Sequence, residues 1–331
     1  MSRPPDLREL PELPEEIGQA ALNGDLVFFV GAGVSMLVGL PSWDALAWKV
    51  LEFLLQERLL NYSEIHQLKG LDPKKLLSIA EVVAEHNTMH QLKGLYPKKL
   101  LSFAEVVAEQ STISLELPKH LDIGKSDKGI YDYLNKIGCA CVTTNYDELL
   151  KPQFNLTKDG STTAVTVIRV NQKNDFHAGH LNVPGTVVHL HGSVSSPKDM
   201  VFTTKQYLEH YDDEMVKVFL GELFDKKTIL FIGYSLEEAE ILEHILRRGR
   251  VKNTKDKRRF ALMPFFLSQK PLYEMLYEYY KKSFGVHLIG FIRDHKDYNQ
   301  LEDIVKAWSE QIEVKPPALV KDLEFMDEVL G

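Results

Sequence analysis

Cysteine is nearly absent from this chain: Cys139 and Cys141 are the two in 331 residues. Two cysteines cannot supply a four-cysteine zinc module. If they lie on one strand they share a face, which does not suit a disulfide between them. Two buried reduced thiols in a cytoplasmic protein are expected. No apolar run approaches the roughly 20 residues that a membrane span needs, and the opening Met-Ser-Arg-Pro-Pro-Asp holds no apolar signal region. Positive charge is also short. Thirty-nine Lys and Arg stand against 47 Asp and Glu, a net charge of −8, so no global basic field exists for nucleic acid or an anionic membrane. There is no Gly-x-x-x-x-Gly-Lys-Ser/Thr phosphate loop.

What is present suits a globular domain, with 44% hydrophobic and 26% charged residues and enough length for a large core. Residues 1–14 are proline-punctuated and polar, and read as a loose N-terminal arm. Leu26–Val30 reads as a buried strand that ends in Gly31 and Gly33, with helical spacing after them. Gly31 permits a tight turn and Gly33 a close approach of backbone to phosphate. The free N–H groups of the first helical turn would attract an anion. The third glycine of the dinucleotide fingerprint is missing, since Met36 or Leu37 stands at its place. Further strands are expected at Ala140–Thr143, Val165–Val170, Val187–Leu190, Ile229–Ile232, Phe260–Met263 and Val286–Gly290. Helical patterns lie around Asp147–Gln153, Lys205–Leu223, Leu236–Arg248 and Leu301–Ile312. Apolar strands alternating with helices predict an α/β fold, a doubly wound parallel sheet covered on both faces.

An internal repeat interrupts this pattern. His66–Met89 and His90–Ile113 match at 19 of 24 positions, too few copies for a solenoid. Each copy reads as one helix plus a loop beginning near Pro73 or Pro97, with Asp72 able to cap the first. The repeat lies in a helical insertion, about 51–125, in a domain spanning 15–315 with a tail at 316–331. Neither copy carries a phosphate-binding or acid–base signature, so it reads as a local duplication and not an active site. Two charged or polar clusters compete for attention. His177, His180, His189 and His191 make a metal site conceivable, but Asp175 is their sole nearby support, and no metal is expected. Arg247–Arg259 holds eight Lys or Arg in 13 residues; it reads as a solvated loop, with contact to nucleic acid or an acidic partner as the rival. Tyr273–Tyr280 reads as a packed helix.

Four strand-to-helix junctions carry the unusual residues: Gly31-Ala-Gly-Val-Ser35 running on to Gly39-Leu-Pro-Ser-Trp43, Thr143-Thr-Asn-Tyr-Asp147, His189-Leu-His-Gly-Ser193, and Gly233-Tyr-Ser235. In this order they resemble the sirtuin catalytic core over roughly residues 25–290, and most closely the bacterial sirtuin-like branch of anti-phage defence. The resemblance implies a Rossmann-like fold and an NAD glycohydrolase that releases nicotinamide and ADP-ribose. It implies that Gly31, Ala32, Gly33 and Ser35 hold the NAD phosphates, and that Asn145 and Asp147 orient the nicotinamide ribose and a water. It further implies His191 as the base, Gly233 and Ser235 on the adenosine side, and Thr144 and Gly192 among the NAD-binding residues. Homo-oligomeric assembly and a partner ATPase or nucleic-acid-sensing module are implied as well. The sequence departs from deacylating sirtuins in lacking the zinc module and in carrying Ser42-Trp43-Asp44 on the nicotinamide side. An NAD-dependent deacylase and a catalytically idle nucleotide-binding scaffold are the alternatives. The chemistry is compatible with these residues. Cleavage of the glycosidic bond passes through an oxocarbenium-like ribose, helped by groups that hold its hydroxyls and by a base of near-neutral pKa. Asp147 either stabilises the developing positive charge or caps a following helix.

Overall fold

A computed structural model describes residues 4–56, 58, 60–68, 71–72, 74–76, 78–80, 121, 129–152, 155–158, 161–164, 169–236, 239–248 and 259–314. Among the described residues seven strands form one sheet in the order β5-β6-β2-β1-β7-β8-β9, with every described pairing parallel. They are β1 (Leu26–Val30), β2 (Ala140–Thr143), β5 (Arg169–Val170), β6 (Val187–His189), β7 (Thr228–Ile232), β8 (Arg259–Phe265) and β9 (His287–Ile292). A separate antiparallel hairpin pairs β3 (Asn155–Lys158) with β4 (Ser161–Ala164). Residues 165–168 of the expected Val165 strand lie outside the described residues.

The centre of the sheet follows from period-two alternation in strands buried on both faces. Val27 and Phe29 of β1 join Val142, Val188, Ile229, Phe231 and Ala261 in one core. That core is covered by α7 (Glu214–Lys226), α8 (Ala239–Arg248) and α9 (Lys270–Phe284). Leu26, Phe28 and Val30 point the other way, into a core with Cys141, Leu230, Ile232, Phe260 and Leu262. There α1 (Glu15–Leu22), α5 (Ile130–Ile137) and α10 (Gln300–Ser309) cover them. Both cysteines are buried and free. Among the described residues no helix is long and apolar enough to cross a membrane.

The sheet order reverses beside β1. Chain leaving β1 returns on the β2 side, whereas β7 adds on the other flank and leads outward to β8 and β9. Loops diverging from the carboxyl ends of β1 and β7 open a crevice there. The short α2 (Ala32–Leu37), α3 (Trp43–Gln56) and α4 (Tyr62–Leu68) follow β1. A third core packs α3 residues Leu46, Ala47, Val50, Leu51 and Leu54 with Leu76, Ile79 and Ala80 of the first repeat copy, and with Tyr146, Met200 and Phe202 beside the crevice. Asp72 does cap that copy, its Oδ1 accepting from the Lys74 N–H at 3.0 Å. The second copy, 90–113, most of the expected insertion and the tail at 316–331 lie outside the described residues.

Several expectations are corrected. The arm is not loose over residues 4–14. Arg8 bridges to Phe291 of β9, its carbonyl accepting from the Ile292 N–H at 2.9 Å. Leu7 is buried, and the Pro11 carbonyl accepts from Trp308 Nε1 at 3.0 Å. No helix forms over 147–152 of the expected Asp147–Gln153 helix; residues 144–152 are irregular. Side chains satisfy that backbone instead. Asn135 of α5 donates through Nδ2 to the Leu149 carbonyl and accepts from the Lys151 N–H, while Asp147 Oδ1 accepts from the Leu149 N–H. The long Lys205–Leu223 helix is two helices, α6 (Thr204–Asp212) and α7, because Asp213 takes extended backbone and caps α7 by accepting from the Met215 N–H at 2.9 Å. Arg259 is no surface residue of a basic loop. It is buried on β8, where its guanidinium donates to the carbonyls of Phe284 and Phe224 at the ends of α9 and α7. Residues 249–258 of that basic stretch lie outside the described residues.

Removing residues 1–11 takes away a buried leucine, a strand-edge bridge and the partner of the Trp308 indole. Urea unfolding is expected to show a loss of about 2–4 kcal/mol. Unchanged stability would mean that this segment contributes nothing to the fold.

Candidate active site

The four junctions occupy the carboxyl ends of the adjacent strands β6, β2, β1 and β7. At the centre the turns after β1 and β7 touch. Gly31 N–H donates to the Ile232 carbonyl at 3.0 Å and Gly33 N–H to the Gly233 carbonyl at 2.9 Å. A Cβ on Gly31 would lie 2.6 Å from the Gly233 oxygen, and one on Gly33 would collide with the Tyr298 hydroxyl. Gly233 sits at φ +63°, against the Val34 backbone. These glycines therefore serve the meeting of two turns. The N–H groups of Gly31 and Gly33 are bonded within the protein and are not free for an anion.

The β2 loop is laid across this junction. Thr143 Oγ1 donates to the Val30 carbonyl and accepts from the Asn145 N–H, and Asn145 Nδ2 donates to the Gly31 carbonyl at 3.0 Å. His189 Nδ1–H donates to the Asn145 carbonyl at 3.1 Å, so β6 also fixes this loop. Asp147 Oδ2 accepts from Ser35 Oγ at 2.7 Å and from the Tyr131 hydroxyl at 3.0 Å. Burial pushes the Asp147 carboxyl above its ordinary range, and these hydrogen bonds oppose the rise. The Tyr131 hydroxyl is pushed up by burial and by the Asp147 charge beside it. Ser35 thus binds Asp147, not an exposed phosphate position. With no helix after it, Asp147 is not a helix cap.

A cleft of about 590 Å³ opens over the junction, lined by Ala32, Gly33, Thr144, Gly233 and Ser235 among the expected residues. Ser42, Trp43 and Asp44 form one wall, and Tyr234, Met263, Pro264 and Tyr298 another. A small pouch shares Ala32, Trp43 and Thr144 with it and reaches Ser35, Asn145 and Asp147. Among the described residues the lining contains neither lysine nor arginine. Gly31 lies beneath the cleft without lining it. Gly192, at φ +77° against the Asp199 backbone, turns the chain after His191 and does not line it either.

His191 is the main departure. It is fully buried and lines neither cavity. Its Nε2 lies 2.7 Å from the Tyr211 hydroxyl and its Nδ1 3.2 Å from that of Tyr207. Tyr207 in turn meets Trp43 of the cleft wall edge-on, ring centroids 6.2 Å apart. Tyr207 lines neither cavity itself, and His191 is also hydrogen-bonded to the backbone of Thr144, which lines both. His189 and His191 engage different partners, and among the described residues no group of three His, Cys, Asp or Glu is placed to hold a metal. The first repeat copy reaches the aromatic layer around His191 as well. Lys74 Nζ lies 3.6 Å from the Tyr207 ring centroid, and Ser78 Oγ accepts from the Thr204 N–H.

Sequence reasoning missed Tyr131, Tyr207, Tyr211 and Tyr298. Tyr131 sits in an ordinary apolar helical pattern with nothing to mark its hydroxyl. Tyr207, His210 and Tyr211 do share one helical face at i, i+3 and i+4, a signal that was available.

Comparison with known proteins bears on this geometry. Residues 140–289 match the SIR2-like domain family. The chain is 26% identical over 259 residues to the NAD(+) hydrolase ThsA of Bacillus cereus (strain MSX-D12), covering 74% of this chain and 44% of that protein. It is 32% identical over 117 residues to the NAD(+) hydrolase ThsA of Cytobacillus dafuensis, covering 35% and 22%. It is 25% identical over 331 residues to Defense-associated sirtuin 2 of Bacillus subtilis, covering 97% and 29%. The chain spans less than half the length of these curated relatives.

The buried imidazoles set a pH dependence of stability. Burial pushes His189 and His210 down to about 4 and His191 well below its ordinary value. The unfolded chain protonates at about 6.5, so it takes up protons first as pH falls, and folded stability declines between about 6.5 and about 4 while staying level above. Chemical unfolding at about pH 5 is expected to show a loss of roughly 1–2 kcal/mol for each of His189 and His210 relative to about pH 7. Asp147, with its raised carboxyl, acts with the opposite sign toward the acid end. His189→Gln should flatten the decline, and an unchanged decline would remove His189 as a cause.

Proposed function

We propose that this chain, a SIR2-like, or sirtuin-like, protein similar to NAD hydrolases and a defence-associated sirtuin, cleaves NAD to nicotinamide and ADP-ribose, depleting NAD in bacterial defence against phage. The observation that carries the reading is the placement of Asn145 and Asp147 together, beside Ala32 and Thr144, on the wall of a pouch of about 30 Å³ that shares Ala32, Trp43 and Thr144 with the cleft, at the point where the sheet order reverses. That is where doubly wound sheets take nucleotides. The cleft volume of about 590 Å³ falls within the roughly 300–1,000 Å³ of small-molecule sites.

In this reading NAD lies in the cleft with its adenosine side toward Gly233 and Ser235 and its nicotinamide ribose toward the pouch. Departure of nicotinamide leaves positive charge on the ribose. Asp147, held by Ser35 and Tyr131, presents a fixed carboxylate to that charge, stronger for its burial. Asn145 is locked by the Gly31 carbonyl and by His189, so it orients the ribose hydroxyls or the attacking water without adding charge. His191 serves as base through the Tyr207 layer. Diphosphate meets backbone and uncharged side chains away from Asp44, since the described lining offers no cation and that one carboxylate. The catalytic domain spans 15–315, and homo-oligomeric assembly with control by a separately encoded partner belongs to the same proposal, on family likeness.

Asn145→Ala and His191→Ala are each expected to lower kcat for nicotinamide release by on the order of a hundredfold or more, with circular dichroism unchanged. Wild-type turnover in both variants would remove the two residues from the mechanism.

A further inference from the structure

A base sealed from solvent raises a question of proton balance. Hydrolysis turns a cationic nicotinamide glycoside and water into neutral nicotinamide and a new hydroxyl, so one proton must leave the site in each turnover. His191 has no exposed surface, but its two ring nitrogens lead to different places. Nδ1 meets Tyr207, which abuts the cleft wall at Trp43. Nε2 meets Tyr211, which lines a second cavity of about 630 Å³ that shares no lining residue with the cleft. The rim of this cavity, at Leu208 and Asp212, is exposed.

Resting on the reading of His191 as the base, we propose that Tyr211 is a positioning residue and the proton outlet of the site. It holds the imidazole through Nε2 and hands the proton of the reaction to water in the second cavity. The transfers balance. Tyr207 accepts a proton from the attacking water and gives its own hydroxyl proton to Nδ1. His191 gives its Nε2 proton to the Tyr211 oxygen, and Tyr211 releases its original proton to the cavity. Every protein group ends neutral, and one proton has left.

The local fold suits this role. One helix, α6, supplies both tyrosines at i and i+4. Its start is fixed by a capping box in which Thr203 Oγ1 accepts from the Gln206 N–H and Gln206 Oε1 from the Thr203 N–H. The groups facing the route are His210 on α6, its ring 5.9 Å from that of His191 and itself beside Lys173 and Asp213, and Lys74 over the Tyr207 ring. Around the cavity stand Glu209, Asp212, Lys217, Glu243 and His244. Three carboxylates at the mouth favour a departing proton.

Tyr211→Phe keeps the ring and its edge-on contacts and removes the hydroxyl. It is expected to lower kcat by about tenfold or more while leaving KM for NAD unchanged, to shift the pH profile and to enlarge the solvent deuterium isotope effect. Nitrogen-15 NMR of the His191 ring provides a readout independent of turnover, and the Nε2 resonance should move in this variant. Should Tyr211→Phe fail to fold, Tyr207→Phe tests the other half of the route: kcat falls similarly, and the Nδ1 resonance moves while Nε2 stays. Wild-type kcat, pH profile and ring resonances in Tyr211→Phe would overturn the proposal. If His191→Ala abolishes turnover while Tyr211→Phe is unaffected, the outlet falls and the base stands. If His191→Ala turns over normally, the base falls and the outlet with it.

Discussion

The site depends on the contact between two turns, where Gly33 N–H meets the Gly233 carbonyl and neither glycine leaves room for a Cβ. β1 and β7 are neighbours whose chains diverge, and this contact fixes the floor of the crevice between them. The β2 loop is then tied to that floor by the Asn145 amide on the Gly31 carbonyl. Asp147 is reached from the same floor by Ser35 and from the flanking helix by Tyr131. Four separate stretches of sequence thus converge through a few short hydrogen bonds in a place that water barely reaches. In such surroundings each bond is stronger than at the surface, and each missing partner is more costly.

The second organising feature is the aromatic layer around His191. Tyr207 and Tyr211 hold its two nitrogens, Trp43 closes the cleft side, and Lys74 of the first repeat copy lies over Tyr207. Burial holds the imidazole well below the near-neutral pKa expected of the base, so at neutral pH its free nitrogen can accept a proton but it is a weaker base than an exposed imidazole. The duplicated segment, which bears no chemical signature of its own, contributes a cation and a core contact to the wall of the site. Its first copy is therefore structurally joined to the wall of the site, although it carries none of the site's chemistry.

Much of the fold was legible because buried parallel strands are written as short apolar runs; Ala140–Thr143 has the expected bounds. The β3–β4 hairpin was missed, although Asp159-Gly160 between two threonine-bearing stretches is a turn signal. The loop after β2 was misread as a helix because Asp147-Glu-Leu-Leu imitates a helix start. What decides otherwise is Asn135, distant in sequence, whose side chain bonds that backbone. At the site, strand-end motifs pointed to Asn145, Asp147 and the glycines, yet not to how they are used. The glycine turn reads as a phosphate cradle until the N–H groups of Gly31 and Gly33 are found bonded to the carbonyls of Ile232 and Gly233. His191 reads as a cleft residue until two tyrosines from α6 enclose it. Such facts depend on which helix face packs where, and local spacing does not contain them.

The central claim is cleavage of NAD by water without a protein substrate. Incubating the purified protein with NAD alone and following nicotinamide and ADP-ribose by chromatography tests it most directly. The account predicts that both products appear in equal amounts with no acyl-lysine peptide present. Nicotinamide release that requires such a peptide would contradict it.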